Sequence, residues 1–99
     1  MAAYVVVEIT VTDPAGFEPY RLAAPATVAA YGGRYLVRGG RVETVEGDWK
    51  PGRLAVLEFD SAEQARRWYE SPDYREVRRL RENAADFRMV IVEGVTPPT

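Results

Sequence analysis

The chain has 99 residues, enough for one domain with its own core, and its 46% hydrophobic and 28% charged content is that of an ordinary globular protein. A formal net charge of −2 gives it no general attraction for nucleic-acid backbones or anionic membranes. It contains no Cys and no His, which excludes disulfides, thiolate nucleophiles, imidazole general bases and the usual zinc and haem ligands.

Acid–base chemistry is therefore left to Asp, Glu, Tyr, a cofactor or Lys50, the one lysine among thirteen basic residues. Carboxylate-only metal sites have no motif here, so no metal and no cofactor is expected. No apolar stretch approaches the roughly 20 residues that span a bilayer. The chain enters a strand pattern at once, without the charged and apolar regions of a secretory signal, so a cytoplasmic protein is expected.

Tyr4–Val11 (YVVVEITV) is rich in β-branched residues and reads as a first strand. Asp13 offers a helix N-cap with Pro14 at the first helical position. Phe17, Tyr20, Ala24, Val28 and Tyr31 then recur at helical spacing and give that helix one apolar face. Pro19 and Pro25 predict a kinked or broken helix, because Pro25 has no N–H for the carbonyl of Arg21. Gly32-Gly33 supplies the stop.

Arg34–Arg38 (RYLVR) reads as a short strand, Gly39-Gly40 as a hairpin turn and Arg41–Glu46 as the returning strand. A loop from Gly47 to Gly52 leads to the strongly apolar strand Arg53–Phe59. Ser61 and Gln64 form a capping-box pattern for a second helix. Ser71-Pro72 interrupts that helix and restarts it through about Asn83. Phe87–Val95 is the last strand, and Thr96–Thr99 is a tail.

The order predicts one α+β domain over residues 1–99, with its core in 4–95. It is a ferredoxin-like β-α-β-β-α-β plait with an extra hairpin. Right-handed crossovers place the first strand beside the one containing Leu57.

The strands do not show the apolar–polar alternation of a sheet with one wet face. Val5, Val7 and Ile9 are apolar, but so are Tyr4 and Val6. Leu54 and Val56 accompany Ala55, Leu57 and Phe59, and Met89 and Ile91 accompany Val90 and Val92. Two helices cover one face only. Burying about six further side chains at ~1.5–3 kcal/mol each is worth on the order of 10 kcal/mol before association costs. A second copy of the same sheet meets that need by symmetry, and the predicted partner is the chain itself, as a homodimer through its sheet faces. The alternative is an apolar patch for a different partner.

Several segments together resemble the domain-of-unknown-function 1330 family: Tyr31–Gly40 (YGGRYLVRGG), Glu46-Gly47-Asp48-Trp49, Glu58-Phe59, Ala65–Tyr69 with Ser71–Tyr74, and Glu93-Gly94. The likeness runs from Tyr4 to Gly94 in order and spacing. It implies membership of the dimeric α/β-barrel superfamily, in which two ferredoxin-like protomers pack sheet against sheet. That superfamily includes cofactor-independent monooxygenases, haem-degrading enzymes, lactone isomerases, dye peroxidases and non-catalytic sensor domains. Its members that hold haem through His find no equivalent here.

Charges within apolar strands are the sharpest local signal. Glu8 and Glu58 are expected near the C-terminal ends of strands that lie parallel and adjacent. Arg34 is expected opposite Glu58, with Arg38 and Glu93 at the other end. Two close carboxylates would hold one raised pKa and shuttle a proton; the alternative is that each is rim-exposed or paired with Arg. Tyr20, Tyr31, Trp68, Tyr69 and Tyr74 are candidates to line an apolar pocket, with core packing as the competing reading and the favoured one for Trp68. Trp49, in a polar loop, would lid a pocket or pack on the partner. Arg75, Arg78 and Arg79 alternate with acidic residues as a wet helix face, and Arg81 falls nearer the apolar side.

These observations predict a small dimer that binds a small aromatic or carboxylate metabolite in a cleft between sheet and helices. Arg38 and Arg81 would anchor an anionic group, Glu58 would act as base, and Tyr20, Tyr69, Tyr74 and Trp49 would shape the site. Cofactor-independent acid–base or monooxygenase-like chemistry is the catalytic expectation. A non-catalytic sensing or protein-interaction module is the alternative.

Overall fold

The computed structural model describes residues 1–95, so the predicted tail at 96–99 lies outside the described residues. Its elements are β1 (Ala3–Val11), α1 (Pro14–Ala30), β2 (Arg34–Arg38), β3 (Leu54–Phe59), α2 (Ala62–Glu70), α3 (Pro72–Arg79) and β4 (Ala85–Glu93). The strands form one antiparallel sheet in the order β2-β3-β1-β4, the ferredoxin-like arrangement. As predicted, β1 lies beside the strand containing Leu57, but the two run antiparallel, with Tyr4 opposite Glu58 and Glu8 opposite Leu54. Glu8 and Glu58 therefore sit at opposite ends of the sheet. Glu93, opposite Ala3, shares the Glu58 end, so its expected position is corrected as well.

Local signals explain the helix boundaries. The Asp13 side chain accepts from the Gly16 N–H at 3.1 Å, with Pro14 at the start of α1. Ser71 serves two helices at once: its hydroxyl donates to the Trp68 carbonyl closing α2 and accepts from the Tyr74 N–H opening α3. Ser61 caps α2 through the Gln64 N–H, while the Gln64 side chain reaches the Tyr31 carbonyl at the end of α1 instead of completing the box. The restarted helix stops at Arg79, four residues short of Asn83, which adopts a left-handed φ of 62° in the turn before β4.

Two expectations fail for identifiable reasons. Helix α1 is continuous through Pro19 and Pro25. The Arg21 carbonyl that Pro25 leaves without a helical donor accepts instead from Arg38 Nη2 at 2.5 Å. Arg41–Glu46 forms no strand, and a loop runs from Gly39 to Arg53. Its apolar residues, Val42 and Val45, are outnumbered by charges, and Val45 is 90% exposed; β2 pairs with the more apolar Leu54–Phe59 instead.

The helices cover one face of the sheet. Val5, Val7, Ile9, Ala55, Leu57 and Phe59 point into that layer and are buried against Phe17, Tyr20, Ala24, Val28, Trp68 and Tyr74. Trp68 packs between Phe59 and Tyr74, with centroids 5.6 Å and 4.2 Å away, and its indole N–H donates to Thr27 Oγ1 at 3.0 Å. The other face carries Tyr4, Val6, Leu54, Val56, Val90 and Val92 and has no covering element among the described residues. Val90 and Val92 are 57% and 48% exposed there.

Candidate functional site

A cavity of about 160 Å³ lies between α1 and the helix-covered face of the sheet. Its floor is Val7, Ile9, Ala55 and Leu57, its roof is Phe17, Tyr20 and Ala24, and Trp68, Phe87 and Met89 close the sides. The small side chains of Ala24 and Ala55, on opposite sides of the layer, leave the space that larger residues would fill. Arg38 and Gly39 are its exposed lining residues and, with Arg21 and Arg53, mark the mouth.

Arg38 reaches this mouth because β2 carries a bulge. Arg34 and Tyr35 oppose Glu58 and Leu57, but after Leu36 the register shifts, so Val37 opposes Val56 and Arg38 opposes Ala55. Ala55 faces the helices, and so therefore does Arg38. Its guanidinium lies 5.1 Å from the Tyr35 ring centroid and holds the Arg21 carbonyl. Arg53 extends the parity of Ala55, Leu57 and Phe59, and its guanidinium sits 5.7 Å from the Phe17 ring. Arg21 is taken up by Glu18 at 2.5 Å. Among the described residues no carboxylate lies within ion-pair distance of Arg38 or Arg53, and no Asp or Glu lines the cavity.

The phenols at the inner end hold their protons. Tyr20 and Tyr74 share a 2.7 Å hydrogen bond between hydroxyls. Burial, reinforced by the Tyr74 neighbour, pushes the Tyr20 hydroxyl far above the ordinary phenol range. Burial also raises Tyr74, partly opposed by its bond to Tyr20 and by the Arg81 charge. Tyr35 is raised by burial against the pull of Arg38. The cavity thus offers neutral hydrogen-bond donors and fixed cations, with no side chain poised to accept a proton at neutral pH.

The structure brings Tyr20, Trp68 and Arg38, of the residues named from sequence, to the cavity, with Trp68 also packed in the core. Tyr74 is fully buried one layer behind Tyr20. Arg81 lies 3.7 Å over the Phe87 ring and 5.6 Å from the Tyr20 ring, so it backs the wall without lining the ligand space; its Nε is buried with no hydrogen-bond partner among the described residues. Tyr69 packs on Tyr74 and under Arg78, outside the cavity. Glu58 is on the opposite face of the sheet, 2.6 Å from Arg34, so it cannot serve this cavity as a base. Trp49 also lies toward that face, its indole N–H 3.3 Å from Glu8, which in turn meets Arg88 at 3.4 Å. Sequence reasoning misses Arg53, Tyr35 and Met89. The usable signal for Arg53 is its parity, an arginine heading the buried side of an apolar strand.

No cluster of three or more potential metal ligands occurs among the described residues. No helix among them is long and apolar enough to cross a membrane.

The family profile described as "Domain of unknown function (DUF1330)" matches residues 2–95. The chain belongs to this family. No curated protein sequence matches it significantly. Among solved structures, this DUF1330 chain is similar to the RPA0582 protein of unknown function from Rhodopseudomonas palustris, with a TM-score of 0.75 at 16% identity over 97% of this chain and 84% of that one. It is also similar to SnoaB, described as a cofactor-independent oxygenase from Streptomyces nogalater, with a TM-score of 0.65 at 16% identity, covering 97% and 95% of the two chains. A third likeness is to a dimeric ferredoxin-like protein of unknown function from Thermobifida fusca, at 0.61 and 17% identity over 92% and 89%. At these identities the likenesses establish the fold of the DUF1330 chain, and its chemistry rests on its own residues.

Proposed function

We propose that this DUF1330 protein is a homodimer, paired through its open sheet faces, in which each protomer binds one small molecule in the cavity under α1. The observation that carries the binding reading is the cavity itself: walled by apolar side chains, sized for a single ring, and entered between cationic ones. An engineered apolar cavity of about 150 Å³ in another protein binds benzene, which sets the scale. The dimer is supported by the apolar open face and by the dimeric description of the Thermobifida fusca relative.

Binding is favoured over acid–base catalysis because the cavity contains no carboxylate and its phenols are held neutral. The likeness to SnoaB, described as a cofactor-independent oxygenase, favours a second reading. Under it the substrate would ionise without a protein base, and Arg38 with the Tyr20 hydroxyl would hold the resulting anion.

Both parts are open to direct measurement. Sedimentation at micromolar concentration should give a dimer, and Val90→Asp should give monomers that retain native circular dichroism. A monomeric parent would end the dimer reading. Met89 lines the cavity, and the chain's other methionine is Met1. A methyl NMR spectrum should therefore show Met89 moving when a single-ring ligand enters. A panel of aromatic and carbonyl compounds that leaves it unmoved would end the binding reading.

A further inference from the structure

We infer that the cavity selects a small monocarboxylate, with its apolar body inside and its carboxylate at the mouth between Arg38 and Arg53. This rests on the cavity being a ligand site and adds its chemical class and a second anchoring residue, Arg53.

Charge supplies the first line of argument. The chain is acidic overall, with fifteen Asp and Glu against thirteen Lys and Arg. Five arginines have carboxylate partners within 4.0 Å, namely Arg21, Arg34, Arg67, Arg79 and Arg88. Arg38 and Arg53 are among the seven with none among the described residues, and they are the two of those seven that frame the entrance. Glu18, the acidic residue that feels the Arg53 charge, is engaged by Arg21. Two guanidinium groups without a carboxylate in ion-pair distance, beside an apolar chamber, create a local positive potential that an anionic head group neutralises.

Geometry supplies the second. Arg38 is tethered through one Nη to the Arg21 carbonyl that Pro25 leaves free, and its guanidinium rests near Tyr35. A guanidinium carries five N–H donors in a fixed fork, so the tether orients the group and leaves donors for a ligand. The Arg53 group is held near the Phe17 ring, and its backbone is fixed by the Ile9 N–H, which donates to the Arg53 carbonyl at 2.9 Å. Planar forks of this kind match a carboxylate. A phosphate would draw on backbone N–H groups as well, and that of Gly39, the exposed glycine at the mouth, already donates to the Leu54 carbonyl at 2.9 Å.

The test compares benzoate, benzyl alcohol and phenyl phosphate on the full chain, read by the Met89 methyl signal so that binding at surface arginines does not count. Benzoate should bind at least tenfold tighter than benzyl alcohol, and Arg53→Gln should weaken benzoate roughly tenfold while leaving benzyl alcohol unchanged. Retained benzyl alcohol binding also shows that the variant is folded. Equal affinity for benzoate and benzyl alcohol, phenyl phosphate binding as tightly as benzoate, or an Arg53→Gln variant that binds benzoate like the parent would each overturn the carboxylate assignment and leave the cavity reading intact. If none of the three moves Met89, the cavity reading falls and the assignment falls with it.

Discussion

Replacing Pro25 by alanine tests how a helix survives an internal proline. A mid-helix proline costs about 3 kcal/mol relative to alanine, through its missing N–H and its clash with the preceding turn. In α1 the carbonyl at stake, that of Arg21, receives the Arg38 guanidinium at 2.5 Å. Hydrogen bonds to charged groups are worth about 1.5–3 kcal/mol, and exposure of Arg38 brings this one to about 1 kcal/mol. Stiffening of the unfolded chain by proline offsets about 0.4–1 kcal/mol more. Pro25→Ala should therefore stabilise the protein by about 1–2 kcal/mol, a rise in Tm of several degrees for a domain of this size. Arg38→Gln should cost about 1 kcal/mol in the parent and almost nothing in the Pro25→Ala background, where the alanine N–H takes over the Arg21 carbonyl. Urea unfolding of all four proteins at one fixed protein concentration measures this coupling. An Arg38→Gln penalty equal in both backgrounds would refute the compensation.

Gly33→Ala should lower Tm by several degrees, because the new Cβ would lie 2.5 Å from Phe59 Cε1 and 2.9 Å from Val28 Cγ1. Phe59 is 1% exposed and has nowhere to go, and overpacking of this kind costs about 1–3 kcal/mol; an unchanged melting curve would contradict it. Stability should also fall in alkali. Tyr20, Tyr35 and Tyr74 are raised above the ordinary phenol value, so the folded state keeps protons that the unfolded state releases. Their contribution is complete below about pH 10 and is lost as pH climbs beyond it. Tyrosinate absorbance should show these phenols ionising together with unfolding, and Tyr20→Phe should flatten the pH dependence; early ionisation in the folded protein would count against it.

Much of the fold is legible in the sequence because its signals are local. Asp13-Pro14, Ser61 and Ser71-Pro72 cap helices where their side chains can reach a nearby N–H, and the two-sided apolarity of β1 and β3 follows from parity alone. What escapes is long-range. The direction of β3 against β1 decides whether Glu8 and Glu58 meet, and it turns on Arg41–Glu46: as an extra strand that segment would send the chain into β3 parallel to β1, whereas as a loop it leaves β3 antiparallel. Proline's damage to α1 can be predicted from sequence spacing, but its remedy comes from a residue 17 positions from Arg21. The apolar run around Glu58 marks it as unusual, whereas the face it occupies depends on which side the helices pack. Arg53 looks ordinary at the start of a strand, and only the cavity beneath α1 makes its parity consequential.

The extra residue at Leu36 decides which compartment receives the end of β2. Counting by twos from Arg34 would send Arg38 outward, beside the glutamate-paired arginine on the layer left bare in a lone chain. The bulge turns it inward instead. A β2 of the same length without the bulge would set Val37 opposite Ala55 and Arg38 opposite Leu54, leaving the chamber with half its entrance charge and a spare cation on the open face. A slip of one position at this edge is therefore enough to halve the positive charge at the chamber's entrance while every residue type stays the same.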